Sequence, residues 1–337
     1  MKKVLIISNP EDEHTQHVLS KIQELGGEPF LFYPEKLGQD YSIALSHSPF
    51  DKQQDVPVIK AREFEKNFED FYSIWYRRPR LVALKSNGLN YEEIEFAREE
   101  WRALIESTYA LMKNNLWVSH PDRLREAARK PIQMLFARQI GFKTPRTLIT
   151  NDPEKTKIFY KECEGRVICK PTGSGWVYSQ DGKNIRYVLT NRVNEEDLAS
   201  DDEIRTAPIT FQEEIIKEYE VRVNVVGQEV LAIKIDSQKS KVSELDWRRY
   251  DIGNTPYSEY SLPKEMEQKC LCLTQMLGLE FGAIDLIRNQ NGDYIFLEIN
   301  GNGQFLWAEE ISGVKVSSSL ARLLSGITEP LKSVIFA

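Results

Sequence analysis

Three side chains with oxygen ligand atoms, Asp285, Glu298 and Asn300, lie in two neighbouring apolar runs of the last third of the sequence. A turn-prone segment of Asn, Gln and Gly joins the runs, which predicts a β-hairpin. Glu298 and Asn300 are two residues apart, so in a strand their side chains point to the same face. Asp285 has apolar neighbours, where an acidic group is costly unless it is paired or bound to a metal.

Carboxylate and amide oxygens are the ligands that suit Mg²⁺ beside nucleotide phosphates. The trio therefore predicts a magnesium site at the end of the hairpin. The alternative is an edge hairpin that turns all three side chains to solvent.

A second candidate site follows a short apolar strand that ends in Lys170. A lysine at a strand end can reach phosphate oxygens as a mobile point charge. The small residues Gly173, Ser174 and Gly175 come next, and such a loop lets backbone N–H groups approach phosphates closely. Loops of this kind are also common turns, and the spacing of a Walker A loop is absent.

The segment from Phe211 to Arg222 combines an apolar strand end with acidic side chains. Its first part is interpreted as a hinge whose backbone recognises an adenine edge: Glu213, Glu214, Ile215 and Ile216. Glu220 is placed to reach ribose hydroxyls, and Arg222, on the same strand face, to reach a phosphate or a developing anion. For Glu213, Glu214 and Glu218 the alternative is a solvated charged run.

Composition limits the class of protein. The chain has 337 residues, 41% hydrophobic and 28% charged, which predicts a globular protein of two or three domains. No apolar run approaches the roughly 20 residues of a membrane helix, and the N-terminal apolar run is too short for a signal peptide. Four cysteines without a CxxC pair favour reduced thiols in a cytoplasmic protein. A net charge of −7 argues against nucleic acid as a partner.

Strand and helix patterns alternate along the chain, which predicts an α/β fold. One long helix is predicted from about Leu124 to Ile140, and a final helix over Val314–Leu324. No dinucleotide fingerprint follows the first strand. Arg77, Arg78 and Arg80 come after a strand of the first unit, at the end where open α/β sheets bind ligands. They suit an acidic peptide, and a salt-bridged or solvated cluster is the competing interpretation.

Taken in order, these elements resemble the ATP-grasp superfamily over about residues 130–302. The resemblance implies three domains, with ATP held between the last two: an N-terminal α/β domain (1–120), a central lid domain (121–212) and a C-terminal domain (213–337). It adds Lys130, at the start of the central domain, to the residues that bind ATP.

A narrower resemblance covers nearly the whole chain. The runs Ile74–Pro79, Pro208–Glu213, Tyr219–Gly227 and Asp246–Arg248 look like those of the microviridin- and marinostatin-type ATP-grasp ligases, the graspetide synthetases. These enzymes use ATP and Mg²⁺ to join Asp or Glu side chains of a ribosomal precursor peptide to Ser/Thr hydroxyls or Lys amines, guided by a leader peptide.

One position departs from another branch of the superfamily. D-alanine ligases have an arginine two residues before the metal-binding aspartate, where this chain has Ala283. Arg222 and Arg248 are the candidates to stabilise the tetrahedral intermediate instead. Asp246 is a candidate general base, and a structural partner of Arg248 is the alternative.

The acidic segment from Asn194 to Glu203 is the candidate leader-binding site, through Glu195, Glu196 and Asp197. A solvated loop is the alternative. Two other functions stay open: a ligase that adds an amino acid to a protein or peptide, and an ATP- or peptide-binding module without catalysis. The oligomeric state is also open, and a homodimer is compatible with the sequence.

Overall fold

The computed structural model describes residues 2–46, 57–61, 65–84, 88–112, 114–173, 175–179 and 185–331. Ser174, predicted to belong to the phosphate loop, lies outside the described residues. The elements are mixed α/β, and this part of the fold prediction is confirmed.

The N-terminal part is built around a parallel sheet of order β2-β1-β6-β7. The apolar side chains of its first strand point to both faces of the sheet and are fully buried. Both faces of the sheet are therefore covered by other parts of the protein. Its elements are β1 (Lys3–Ile7), α1 (Glu13–Glu24), β2 (Glu28–Phe32), β6 (Ser73–Tyr76), α2 (Tyr91–Leu111) and β7 (Leu116–Val118). A small antiparallel sheet stands beside it, with β3 (Tyr41–Ala44), β4 (Val58–Ala61) and β5 (Glu65–Asn67).

The middle part contains an antiparallel sheet of order β12-β9-β13-β8 and a separate two-stranded sheet, β10-β11. Its helices are α3 (Pro121–Ala127), α4 (Lys130–Gln139), α5 (Pro153–Glu162) and α6 (Asp201–Thr206). Its strands are β8 (Thr147–Thr150), β9 (Val167–Lys170), β10 (Trp176–Tyr178), β11 (Ile185–Tyr187), β12 (Asn191–Arg192) and β13 (Ile209–Glu213).

The C-terminal part is an antiparallel sheet of order β16-β15-β14-β17-β18. It carries the predicted hairpin, which is confirmed as β17 and β18. The elements are β14 (Lys217–Val226), β15 (Glu229–Ile235), β16 (Tyr257–Tyr260), α7 (Lys264–Met276), β17 (Phe281–Asn289), β18 (Tyr294–Asn300), α8 (Leu306–Ser312) and α9 (Val316–Leu324).

Two helix predictions were wrong in their bounds. The helix predicted from Leu124 to Ile140 is two helices, α3 and α4, because Pro131 has no N–H to donate to the carbonyl of Ala127. The side chain of Gln133 donates to that carbonyl instead, at 2.6 Å. The final helix begins at Val316, and the sequence analysis missed α8 before it.

One apolar core joins the two ends of the chain. Val4, Ile6 and Ile22 of the N-terminal part pack in the same cluster as Leu320 and Leu324 of α9. Ser73 also donates its hydroxyl to the carbonyl of Leu324, at 2.7 Å. This packing brings loops of the first part against the C-terminal sheet. No helix of the described ranges is long and apolar enough to cross a membrane.

Candidate active site

The register of the C-terminal sheet brings three charged residues into one row. Asp285 on β17 lies opposite Arg222 on β14 and opposite Glu298 on β18. Residues opposite one another in adjacent strands share a face of the sheet. The two predicted carboxylates and the predicted arginine are therefore neighbours.

A β-bulge makes this row possible. Leu286 pairs with Phe296 whereas Asp285 pairs with Glu298, so Leu297 is an extra residue in β18. In a regular strand Phe296 and Glu298 would point to the same face. With the bulge Phe296 packs in the apolar core, while Glu298 lines the site.

Asp285 and Arg222 form a buried ion pair, with 2.9 Å between Oδ1 and Nη1. Asp285 is 7% exposed and Arg222 6%, which excludes the alternative of a solvent-facing hairpin for this position. Burial raises the pKa of Asp285 even though Arg222 and Arg248 oppose the shift.

Glu298 lies among cations. Its carboxylate is 3.3 Å from Nη1 of Arg248 and 4.0 Å from Nζ of Lys130. Burial alone would raise the pKa of Glu298, but the charges of Arg248, Lys170 and Lys130 outweigh it and hold the pKa below its ordinary value. Glu298 is therefore an anion at neutral pH.

The three predicted metal ligands fit Mg²⁺ in their chemistry. Asp285 and Glu298 face each other, and Asn300 follows on the same strand face as Glu298. All three offer hard oxygen atoms, the donors that Mg²⁺ prefers. The Oδ1 atom of Asn300 accepts the N–H of Asn302 at 2.9 Å, so its amide is already oriented. Within the described ranges no group of three or more His, Cys, Asp or Glu side chains could hold a metal, so a site here needs the amide oxygen.

Two lysines approach this carboxylate pair from the middle part of the chain. Lys130 begins α4 and donates to the carbonyl of Pro171 at 2.7 Å. Lys170 ends β9 and donates to Oε1 of Gln212 at 3.0 Å. Burial lowers the pKa of Lys170 to about 8 although Glu298 attracts the protonated form. A desolvated ammonium of this kind gains most from an incoming polyanion.

The predicted hinge lies where β13 ends and the chain enters β14. Glu213 pairs with Arg146 at 3.2 Å and Glu214 with Arg192 at 2.9 Å, while Ile216 is exposed. Two of the hinge side chains are thus held by arginines. Glu218 is exposed, as its alternative interpretation holds.

Glu220 occupies the predicted ribose position but is engaged. Its Oε1 atom is 2.9 Å from Nζ of Lys217, which also donates to the carbonyl of Leu245 at 2.8 Å. Burial raises the pKa of Glu220 despite Lys217. A nucleotide that used Glu220 would have to share it with this lysine.

The contacts of Asp246 favour its alternative role, that of a structural partner of Arg248. It accepts from Nε and Nη2 of Arg248, both at 2.8 Å, and caps the short helix that carries this arginine. Burial would raise its pKa, but the Arg248 guanidinium lowers it to about 2. Such a carboxylate is a weak base, so Asp246 acts as the partner that orients Arg248.

The arginine cluster after β6 corrects the sequence interpretation for Arg77, while a peptide-binding role of Arg78 and Arg80 stays a prediction. Arg77 is 1% exposed, pairs with Asp12 at 3.2 Å and is closed off from any peptide carboxylate. Arg80 forms an exposed ion pair with Glu11. Arg78 is exposed, yet its guanidinium donates to the carbonyl of Asn302.

Glu195, Glu196 and Asp197 lie in an exposed turn between β12 and α6. Asn194 and Asp197 hold the turn through reciprocal backbone-to-side-chain bonds of 2.8 and 2.9 Å. A leader-binding role for this turn stays a prediction.

Two cavities meet at Arg248 and Glu298, which line both of them. The narrow cavity, about 50 Å³, is lined by hinge residues Glu213, Glu214 and Ile215, and by Lys170, Glu220 and the bulged Leu297. The wide cavity, about 620 Å³, runs from Lys130 and Asn300 toward α2 and α3. Arg248 and Glu298 thus stand at the boundary between a narrow cavity and a larger one.

The sequence analysis missed three polar residues that shape this site. Gln212 is the partner of Lys170, and Lys217 is the partner of Glu220. Gln133 bonds both the N–H and the carbonyl of Ile299, which ties α4 to the strand of Glu298. The signal for Gln212 was available, since a buried glutamine in an apolar strand needs a partner.

With this geometry in place, comparison with known proteins decides the family. The model of the RimK-like ATP-grasp domain matches residues 127–324, and that of the MvdD pre-ATP-grasp domain matches residues 3–125. The chain belongs to the RimK-like ATP-grasp family. The predicted ATP-grasp fold and the prediction of an ATP-grasp ligase are confirmed. No protein with a curated description matches the sequence.

Solved structures agree with this ATP-grasp assignment. A RiPP-associated ATP-grasp ligase of Chryseobacterium gregarium, solved with ADP, a leader and a core peptide, has a TM-score of 0.87 and 28% identity over 99% of this chain and 100% of its own. The macrocyclase MdnC of Microcystis aeruginosa, bound to its precursor peptide MdnA, has a TM-score of 0.82 and 28% identity over 96% and 99%. MdnB of the same organism has a TM-score of 0.78 and 24% identity over 96% and 99%, and shows the shared fold.

Proposed function

We propose that this chain closes rings in a ribosomally made precursor peptide at the expense of ATP. It activates an Asp or Glu side chain as an acyl phosphate and joins it to a Ser/Thr hydroxyl or a Lys amine of the same peptide. The observation that carries the proposal is the pair of cavities that meet at Arg248 and Glu298, one narrow and cation-lined, the other wide.

The narrow cavity is the proposed nucleotide side. The hinge takes the adenine edge, Glu220 the ribose and Lys170 the phosphates, where charge-assisted contacts are strongest. Lys130 lines the wide cavity but lies 4.0 Å from Glu298, so it reaches the phosphates where the two cavities meet. Asp285, Glu298 and Asn300 would hold Mg²⁺, which would supply positive charge against the phosphates. The nucleotide that accompanies the Chryseobacterium gregarium ligase, ADP, supports this use of the slot.

The wide cavity is the proposed peptide side. Its volume of about 620 Å³ falls in the range of about 300–1,000 Å³ of ligand pockets, enough for a side chain and neighbouring residues of a peptide. Arg248, fixed by Asp246, presents its planar guanidinium at the entrance to the carboxylate pair, where it can hold both oxygens of a substrate carboxylate. The precursor, leader and core peptides bound to MdnC and to the Chryseobacterium gregarium ligase support a peptide as substrate.

The chemistry needs two displacements. A carboxylate oxygen of the peptide attacks the γ-phosphorus of ATP and ADP leaves, a transfer that depends mostly on positioning and charge neutralisation. The hydroxyl or amine then attacks the acyl carbon, and phosphate leaves with the electron pair of the carbon–oxygen bond. Arg222 and Arg248 stabilise the oxyanion of the intermediate.

The proton of the nucleophile passes to the departing phosphate in this proposal. Asp246, with a pKa of about 2, is too weak a base to take it. The departing phosphate is no longer an ester and is more basic than a phosphate monoester, whose second pKa is about 6. It is therefore the better proton acceptor at neutral pH.

Mass spectrometry of a candidate precursor tests the function. Short peptides rich in Thr, Lys, Glu and Asp, encoded beside the gene, are incubated with the enzyme, ATP and Mg²⁺. Each ring should lower the peptide mass by one water and release one ADP. In a parallel reaction that also contains free amino acids, a peptide that gains the mass of an amino acid would move the chain to the alternative class of ligase. ADP release without any change in peptide mass would contradict both.

A further inference from the structure

The segment 302–306 follows β18 and leads into α8, directly after the predicted ligand Asn300. Its first two N–H groups bond Asn300: Asn302 donates to Oδ1 at 2.9 Å, and Gly303 to the carbonyl oxygen at 3.2 Å. The position of this segment therefore sets the orientation of the Asn300 amide.

Two arginines of the N-terminal part hold the carbonyl groups of the same segment. Nη1 of Arg77 donates to Asn302 and Gly303 at 2.9 and 3.0 Å. Nε and Nη2 of Arg78 donate to Asn302 at 3.1 and 2.9 Å. The carbonyl of Asn302 thus receives three charged N–H groups from residues more than 200 positions earlier in the chain.

The far end of the segment is held by a histidine of the same part. Nε2 of His14 accepts the N–H groups of Phe305 and Leu306 at 3.2 and 3.4 Å, and its ring meets that of Phe305 edge-on at 4.6 Å. Asp12 pairs with Arg77 at 3.2 Å and lies 3.7 Å from the other nitrogen of His14. We call Arg77, Arg78 and His14 the clamp, and two of its members, Arg77 and His14, share the carboxylate of Asp12.

The segment also contacts the row of Arg222, Asp285 and Glu298 directly, through Arg222. Nη2 of Arg222 donates to the carbonyl of Gln304 at 3.4 Å. A Cβ atom on Gly303 would lie 2.4 Å from Cβ of Ala283 and 2.7 Å from Nη2 of Arg222, so only glycine allows this approach. Any shift of the segment would move Arg222 as well as Asn300.

We infer that Arg77, Arg78 and His14 are positioning residues for the ligation, which orient Asn300 and Arg222 through the segment 302–306. The inference rests on the proposed function for its kinetic consequence. A buried arginine is costly, and an apolar residue packs at least as well where only stability matters. Arg78 adds a second cost, a backbone φ of +46°, which is unusual for a residue other than glycine. Both costs are accounted for if the guanidinium groups must reach Asn302.

Arg78→Ala is the decisive variant because Arg78 is exposed and the fold does not depend on burying it. Losing a direct hydrogen-bond partner of a metal ligand typically lowers metal affinity by about 10- to 100-fold. Arg78 acts one step further out, through Asn302, so its effect should lie at the lower end of this range. We expect the Mg²⁺ concentration for half-maximal ring closure to rise about tenfold and kcat to fall by a similar factor. The KM for the peptide should change less than twofold. Arg78→Lys should recover part of the loss, and Arg98→Ala, an exposed arginine of α2, should match the wild type.

A second measurement does not need turnover. Calorimetry of ADP binding with and without Mg²⁺ should show that Arg78→Ala loses the Mg²⁺-dependent part of the affinity. Hydrogen exchange of peptides covering residues 300–306 should speed up in Arg78→Ala and in Arg77→Lys, with the rest of the sheet unchanged.

Two results would overturn the inference. An increased KM for the peptide with unchanged Mg²⁺ dependence would show that Arg78 contacts the substrate instead. Unchanged hydrogen exchange over residues 300–306 would show that the clamp does not hold this segment. If the wild type closes no ring, the proposed function fails, while the exchange and calorimetry results still decide whether the clamp exists.

Discussion

The carboxylate pair of the hairpin and the arginine cluster after β6 were both predicted from residue type and position, with different outcomes. Asp285 and Glu298 face each other, as a site on a hairpin requires. Arg77 and Arg80 instead pair with acidic residues of the same domain, and Arg77 and Arg78 hold a backbone loop.

The difference lies in what fixes each side chain. Within a sheet, register and alternation determine which residues share a face, and both can be inferred locally. At the end of a strand a long side chain can turn to whatever partner the tertiary fold supplies. Here that partner is the segment 302–306, whose proximity depends on the core shared by β1, α1 and α9. Residue type alone therefore identifies a cation but not its ligand.

The largest effect expected on the hairpin side is that of Glu298→Gln, which keeps the shape and removes the charge. Loss of an outer partner of a metal site already costs about 10- to 100-fold, so loss of this ligand should leave less than about one hundredth of the activity. The rate of ADP release with peptide measures it, and the melting temperature reports on folding. Glu259→Gln, an exposed position in the same sheet, is the control. A folded variant with wild-type activity would remove Glu298 from the site.

The next effect concerns the cation that faces the hairpin from β9. Lys170→Met keeps the apolar stem and removes the ammonium from desolvated phosphates, where such contacts are worth roughly 1.5–3 kcal/mol. Nucleotide affinity measured by calorimetry should fall about tenfold or more. Lys161→Met, on the exposed face of α5, should leave it unchanged. Equal affinities for the two variants would exclude Lys170 from the phosphate site.

The same lysine predicts a pH dependence. Burial holds the pKa of Lys170 at about 8, so the ammonium is protonated below this pH and loses its proton above it. Nucleotide phosphates favour the protonated form, so affinity for ADP should fall as pH rises from 7.5 to 9.5, by up to about tenfold per pH unit above 8. Lys170→Arg, which stays charged, should flatten the profile. A wild-type profile without a decline would contradict the assignment.

The smallest effect is expected at the acidic turn before α6. Glu195→Lys with Glu196→Lys reverses two exposed charges and leaves Asp197 to hold the turn. If the turn binds a basic part of the leader, the KM of a leader-bearing precursor should rise several-fold, since tethering raises local concentration. Turnover of a core peptide without a leader should not change. Equal effects on both substrates, or none, would leave the turn as a solvated loop.

Much of the site could be predicted because its residues lie on regular strands. Lys170, Glu220, Arg222 and Asp285 follow from strand ends and alternation, and all line or border the narrow cavity. The bulge at Leu297 could not be predicted, because the sequence from Phe296 to Glu298 is also compatible with a regular strand that has no extra residue.

The remaining errors came from side-chain partners that the helix and strand patterns do not specify. Pro131 did signal a helix start, since proline is favoured in the first turn. Gln133 donates a hydrogen bond to the carbonyl of Ala127 and forms two hydrogen bonds with the backbone of Ile299. These bonds depend on α4 packing against β18. The sequence shows that Lys217 is a cation, but its ion pair with Glu220 depends on where β14 begins.

The central claim is that ATP phosphorylates the reacting carboxylate of the peptide before the ring closes. A precursor whose reacting Asp or Glu side chain carries ¹⁸O in both carboxylate oxygens tests it most directly, with mass spectrometry of the peptide and of the released phosphate. Acyl phosphate formation predicts one ¹⁸O atom in phosphate for every ring closed and one left in the new ester or amide. Unlabelled phosphate from a fully cyclised peptide would contradict the account, because the carboxylate oxygen would not have left with phosphate.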